Sequence, residues 1–254
     1  MNKNLWSIEE EKIFFISSLK NYATEKQLFY NLKDEYYAYI PKNFDSEGQT
    51  LQARNSLIGH YTEHWVQKLL QHIANKFNLY AVNNVICEEI SLSKQSSADI
   101  AFCKTPQTIQ EAKNIKVIFE IKMSIVWNYL YKDNIIKNVG DYKAHKGNPS
   151  LLRSDSMLKA IGKAVNIRVS GDYSRNIPII VLGNSPITEH YKEKVDFLKE
   201  AGIIQQFISL NPNPTDTQYI KETNKKGFIT AKDFESLYYL IEYILKEELC
   251  FFHL

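Results

Sequence analysis

The spacing of apolar residues shifts from a helical period near the N-terminus to short β-rich runs in the middle, then alternates between the two. Ser7 followed by Glu10 has the form of a capping box and predicts a helix through about Leu19. Thr24 with Gln27 predicts a second, "EKQLFYNLKDEYYAYI", ending before Pro41. The polar stretch "NFDSEGQT" separates these from a strongly periodic helix, about Asn55 to Phe77, whose stripe is Ile58, Tyr61, Trp65, Leu69, Ile73 and Phe77. Then come three runs bounded by turn formers, "LYAVNNVICEEISL", "ADIAF" and "KVIFEIKM", which read as strands. A helix over "SDSMLKAIGKAVNIRV", capped by Ser154 or Ser156, leads to a strand in "IPIIVLGN". "TEHYKEKVDFLKEAG" is a further helix, "IIQQFISL" a strand, and "TAKDFESLYYLIEYILKEEL" a closing helix capped by Thr230. This order predicts an α/β fold, a mixed β-sheet core flanked by α-helices with extra N- and C-terminal helices. Residues 1–50 read as a helical N-terminal extension and residues 51–254 as the main domain, together one compact unit.

Composition narrows the function. With 254 residues, 44% apolar and 24% charged, the chain is a folded globular protein. A net charge of +2 excludes a strongly basic tail-type nucleic-acid binder but leaves room for a local basic cleft. Cys87, Cys103 and Cys250 are far apart, so neither a disulfide framework nor a cysteine zinc site is indicated. No apolar run approaches the roughly 20 residues that span a bilayer. The start, "MNKNLWSIEEEK", lacks the apolar stretch of a signal peptide, so a cytoplasmic location is the expectation.

One strand pair carries candidate chemistry. In "KVIFEIKM" Val117, Phe119 and Ile121 share one face, while Ile118, Glu120 and Lys122 share the other. Two charges on an otherwise buried strand are costly without partners. Asp99, in the preceding strand, is a ready partner if the two strands form a hairpin. Two carboxylates and an ammonium at one sheet end suit a hard, oxygen-ligated metal with a positioned lysine. The bland alternative is an exposed cross-strand salt bridge. Glu-x-Lys occurs also at Glu10/Lys12 and Glu111/Lys113, but only Glu120/Lys122 lies on an apolar strand with an aspartate just upstream.

On Asp99, Glu120 and Lys122 the chain resembles the PD-(D/E)xK nuclease superfamily, the fold of most Type II restriction endonucleases, over about Asn55 to Leu210. The residue before Asp99 is Ala98 where the literal motif has proline. The resemblance implies a restriction-endonuclease-like core in residues 51–254 and a Mg²⁺-dependent, site-specific endodeoxyribonuclease leaving 5′-phosphate and 3′-hydroxyl ends. It implies one or two Mg²⁺ ions per active site, replaceable by Mn²⁺, held by Asp99, Glu120 and the Ile121 carbonyl. Members commonly draw a further glutamate from the helix before the hairpin, and Glu63 is the matching position, for catalysis and a metal alike. Double-stranded DNA would be the substrate, a homodimer the working form and a cognate DNA methyltransferase the functional partner. A repair or junction-resolving nuclease of the same fold, or a non-catalytic DNA-binding module, remain the alternatives.

Glu63 lies inside "GHYTEHW", which contains His-x-x-Glu-His and so also suggests a zinc peptidase. At about 100° per residue, Glu63 falls roughly 80° from the apolar stripe, while His60 and His64 fall roughly 140° and 180° away. The glutamate can lean toward the sheet and the histidines should face outward. No glutamate occurs between Glu120 and Glu189 to complete an inverted zinc motif. In the plainest reading all three are solvated helix residues. From Lys132 to Arg175 there are nine lysines and arginines against four aspartates, a local excess of five. Within it Lys143, His145, Lys146, Asn148, Arg153, Ser154 and Lys159 are candidate DNA contacts, the first five on a loop and Ser154 at a helix amino end. Phe14, Phe15, Tyr36 and Tyr37 are candidates for a dimer or DNA-clasp surface, or for core.

Overall fold

A computed structural model describes residues 5–46, 48–211 and 219–246. Cys250 and the last residues of the expected closing helix lie outside them. The elements are α1 (Ile8–Asn21), α2 (Glu25–Leu28), β1 (Tyr30–Leu32), β2 (Glu35–Tyr37), α3 (Gln52–Lys76), β3 (Tyr80–Val85), β4 (Ala98–Cys103) and β5 (Ile115–Lys122). There follow β6 (Asn128–Lys132), β7 (Ile135–Gly140), α4 (Ser154–Arg168), β8 (Ile179–Gly183), α5 (Lys192–Glu200), β9 (Gln206–Ser209), β10 (Phe228–Thr230) and α6 (Phe234–Lys246). The fold is mixed α/β.

The central sheet has the order β10-β9-β8-β5-β4-β3. Strands β3, β4 and β5 run antiparallel, and β5, β8, β9 and β10 run parallel. Strand alternation sends Ile100, Phe102, Val117, Phe119, Ile121, Ile180 and Leu182 to one face, under α1, α3 and α6. Ala101, Ile118, Ile179, Val181 and Phe207 face the other way, under α4 and α5. Helices on both faces make a three-layer arrangement, and the parallel strands, buried on both sides, are near-continuously apolar for that reason.

Several sequence expectations are corrected. Of the second predicted helix only Glu25–Leu28 is helical, opened by a Thr24–Gln27 capping box. The rest is the β1–β2 hairpin, turned by Lys33 and Asp34, both left-handed (φ 52° and 65°). A second hairpin, β6–β7, turns at Asp133 and Asn134 (φ 51° and 60°). The two hairpins join as a four-stranded sheet, β1-β2-β6-β7. Among the described residues, 5–46 and 48–50 hold α1, α2 and the β1–β2 hairpin, so this segment is not helical throughout, and it packs into the main core. Phe14 and Phe15 are core, with Phe15 stacked on Phe29 at 4.8 Å and tilted against Tyr129 at 5.2 Å; neither is available as a clasp. Arg153, not Ser154 or Ser156, occupies the N-cap position of α4. Asp233, whose carboxylate accepts from Ser236 N–H at 2.9 Å, caps α6 in place of Thr230. On α3 the buried stripe runs through Ile58, Thr62, Val66, Leu70 and Ile73. It sits one residue round from the expected line, with Trp65 half-buried beside it, edge-on to Trp6 at 5.2 Å.

Among the described residues no helix is long and apolar enough to cross a membrane.

Candidate active site

The β4–β5 ladder stops at the Ile100–Phe119 pair. Beyond it Asp99 substitutes a side chain for a strand partner, its Oδ2 accepting the Ile121 N–H at 2.7 Å. Glu120 and Lys122 follow Ile118 on the same face, at the carboxyl end of β5, where open α/β sheets place their ligands. Lys122 Nζ lies 2.5 Å from Glu120 Oε1 and 3.6 Å from Asp99 Oδ2, and it donates to the Ile121 carbonyl at 3.2 Å. Asp99, Glu120 and Lys122 therefore meet.

The cluster has a fourth member. Lys163 Nζ is 2.6 Å from Glu120 Oε2 and 3.3 Å from Asp99 Oδ1. Helix α4 lays Met157, Ala160, Ala164 and Ile167 on the sheet, and the two alanines let it approach closely. Lys163, beside Ala164 and one turn from Ala160, then reaches the carboxylates. Burial pulls the Lys163 pKa down, but Asp99 and Glu120 outweigh it and leave the ammonium favoured. Glu120 is 6% exposed, and its Oε2 has close charge from Lys163 but no well-aligned hydrogen bond. Two carboxylates and two ammoniums neutralise one another where water reaches poorly.

Glu63 is half-buried on α3 and makes no hydrogen bond or ion pair with the cluster among the described residues. Its pKa is raised, first by burial and then by the negative charge of Asp99. His60 and His64 are exposed. Among the described residues no three His, Cys, Asp or Glu side chains are grouped to hold a metal by themselves. A cation at this site would draw on Asp99, Glu120 and the Ile121 carbonyl, an all-oxygen set that suits Mg²⁺, which keeps its remaining positions for water and phosphate. The imperfectly bonded Glu120 Oε2 agrees with that use.

The backbone after Lys122 is locked by residues that the pattern of charges did not reveal. Ser150 Oγ donates to the Lys122 carbonyl, and Ser150 N–H donates to Ser124 Oγ at 2.8 Å. Asn184 bonds both backbone groups of Ser124, receiving N–H at 3.1 Å and donating to the carbonyl at 2.6 Å. Gly183 is needed beneath this network, since a Cβ there would collide with Leu151 and Ser150. From the opposite side Glu11 of α1 enters the core. Its carboxylate accepts from Val126 N–H (2.7 Å), Trp6 Nε1 (2.9 Å), Tyr129 Oη (3.0 Å) and Trp127 N–H (3.2 Å). Burial still pushes the Glu11 pKa up to about 8 against those four bonds.

The basic segment is divided by the fold. His145 is buried, stacked on Tyr39 at 4.0 Å with its ring nitrogens at the Lys146 and Val126 carbonyls. Burial lowers its pKa, and it is not placed to touch DNA. Arg168 is also buried, donating to the Ile177 carbonyl at 2.9 Å and to Gln205 at 2.9 Å. Lys143 and Lys159 are exposed. Lys146, Asn148, Arg153 and Ser154 are exposed around one cavity beside the segment that follows Lys122. Arg153 is bidentate on Asp155, at 2.7 and 3.0 Å.

Two carboxylates and two lysines thus meet at the carboxyl end of β5. Comparison of the chain with protein-family models, curated proteins and solved structures finds no match.

Proposed function

We propose that the protein is a Mg²⁺-dependent endodeoxyribonuclease of the PD-(D/E)xK type, with a restriction-endonuclease-like core and Type II, sequence-specific action on double-stranded DNA. The observation that carries this reading is the convergence of Asp99, Glu120 and Lys122 across the end of the β4–β5 hairpin. Bound by Asp99, Glu120 and the Ile121 carbonyl, the metal would supply Lewis acidity toward the scissile phosphate. Lys122 is tied to both carboxylates and can orient the attacking water and meet the charge that develops on phosphorus-bound oxygen. Lys163 lies within ion-pair distance of both carboxylates and balances their charge. Exposed Lys143, Lys146 and Lys159 supply phosphate contacts.

A non-catalytic module keeps one supporting observation, since each carboxylate already has an ammonium partner. Incubating supercoiled plasmid and a mapped linear DNA with protein and Mg²⁺ separates the two readings. Discrete fragments are expected, and Asp99→Ala or Lys122→Ala should reduce cutting by about 10²-fold or more while circular dichroism stays native. Absence of cleavage with Mg²⁺ or Mn²⁺, or near-normal cutting by either variant, would sink the assignment. A smear without discrete bands would instead favour a structure-directed repair nuclease.

A further inference from the structure

A cavity of about 470 Å³ opens between the amino ends of α3 and α4 and the segment that follows Lys122. Its wall includes Tyr30, Tyr39, Arg54, Lys146, Asn148 and Arg153, and Ser124 and Ile125 connect it to the carboxylate cluster. The volume lies within the roughly 300–1,000 Å³ of small-ligand sites.

Arg54 is the anomaly. It is only 3% exposed, its Nη1 donates to the Ala38 carbonyl, and its guanidinium lies 5.4 Å from the Tyr30 ring and 4.7 Å from the Tyr39 ring. Among the described residues no carboxylate pairs with it, and the Ala38 carbonyl is the one protein acceptor its guanidinium has. A buried cation without a counter-charge is costly. Its position compounds the cost. Arg54 sits in the first turn of the 25-residue α3, where the helix dipole already presents positive charge. That end has Leu51 as N-cap, no side-chain cap bond and no acidic residue in the first turn. A bound anion would satisfy the free N–H groups, the dipole and the guanidinium together. Lys146 and Arg153 add positive charge at the rim, against Asp155 alone.

A simple anion needs neither this volume nor these walls. Tyr30, Ile58 and Ile125 offer an apolar surface, and the amides of Asn55 and Asn148 offer paired donors and acceptors. Phosphate joined to a flat, partly polar ring fits all of these at once. We infer that the cavity is a nucleotide site, with the phosphate at Arg54 and the amino end of α3, and the sugar and base toward Tyr30 and the asparagines. In the setting of the DNA-cutting reading, on which this source rests, the occupant is one nucleotide of the substrate strand held out of the stack beside the scissile bond.

Calorimetric titration of the whole protein in EDTA with deoxynucleoside 5′-monophosphates, the matching nucleosides and inorganic phosphate tests the site without metal or cleavage. Monophosphates should bind at least about tenfold more tightly than either nucleosides or phosphate, and Arg54→Gln should weaken them by about tenfold or more. Because Arg54 also holds Ala38, Asn148→Asp provides a second variant, an exposed change that places a carboxylate at the mouth and should produce a similar loss. Equal affinity for nucleosides and nucleotides, or undiminished binding by Asn148→Asp, would overturn the site. Phosphate as tight as the nucleotides would reduce it to an anion hole and overturn the base-binding half. In duplex DNA carrying 2-aminopurine, fluorescence should rise on binding. Mononucleotide binding without that rise would assign the cavity to free nucleotide and remove the strand as its source. A protein that binds nucleotides but never cuts keeps this inference and loses the nuclease, and the reverse result does the opposite.

Discussion

Glu63 and the two histidines around it present the sharpest contrast among single residues. The carboxyl is half-buried and feels the charge of Asp99 and Glu120, while the imidazoles are in solvent. If Glu63 assists a metal or its water, Glu63→Gln should lower cleavage or shift the Mg²⁺ concentration it requires. A paired His60→Ala, His64→Ala variant should cut nearly as well as the native chain. Cleavage assays over a Mg²⁺ series decide this, and loss of activity in the histidine variant accompanied by stoichiometric zinc in the native protein would reinstate the zinc reading. Much of the site was legible from residue spacing. Asp99, Glu120 and Lys122 were visible because charges at alternate positions of an apolar strand demand partners. Lys163 was hidden within a count of surface cations, although its place beside Ala160 and Ala164 on one helix face was a usable signal. Glu11 was hidden because Ser7 and Glu10 accounted for the acids of that turn, and nothing local announces that Glu11 turns inward.

Among the elements, α1 stands out because its buried carboxyl holds the segment after β5. The Glu11 pKa of about 8 exceeds the usual value of 4.5. A carboxyl with a raised folded-state pKa contributes stability that is fully present below about 4.5 and is lost as pH rises through about 8. Denaturant midpoints should therefore fall between pH 5 and pH 9 by an amount that Glu11→Gln abolishes. The variant itself should cost about 1–3 kcal/mol, because its amide NH₂ faces donors that need an acceptor. A midpoint that falls equally in both proteins would rule Glu11 out as the cause. The two hairpins show why element prediction failed where it did. "YNLKDEYY" mixes its aromatics with Leu, Lys and Glu that a helix favours, and in both it and "YLYKDNII" the left-handed Lys33–Asp34 and Asp133–Asn134 pairs turn the chain into a hairpin. Asp-Asn between apolar runs was a readable turn signal. Lys-Asp is a much weaker one.

For the molecule as a whole, the proposed DNA substrate would be drawn in by charge. The exposed cations Lys143, Lys146 and Lys159 survive as candidate contacts after His145 and Arg168 are found in the interior. Lys159→Ala should lower the slope of log affinity against log salt by about one if it contacts a phosphate, and Lys146→Ala should do the same. Binding titrations in the presence of Ca²⁺ or EDTA at several salt concentrations provide the check, and unchanged slopes for both variants would move the DNA surface elsewhere. The contacts of α1 also tie distant parts of the sequence together. Trp6 N–H bonds the Leu210 carbonyl at 3.3 Å, and Glu11 bonds the 126–129 segment, so α1 is fully held only by partners that lie far along the sequence from it. Closing so long a loop is entropically costly, so the brace on the segment after β5 depends on contacts that only a well-formed sheet repays.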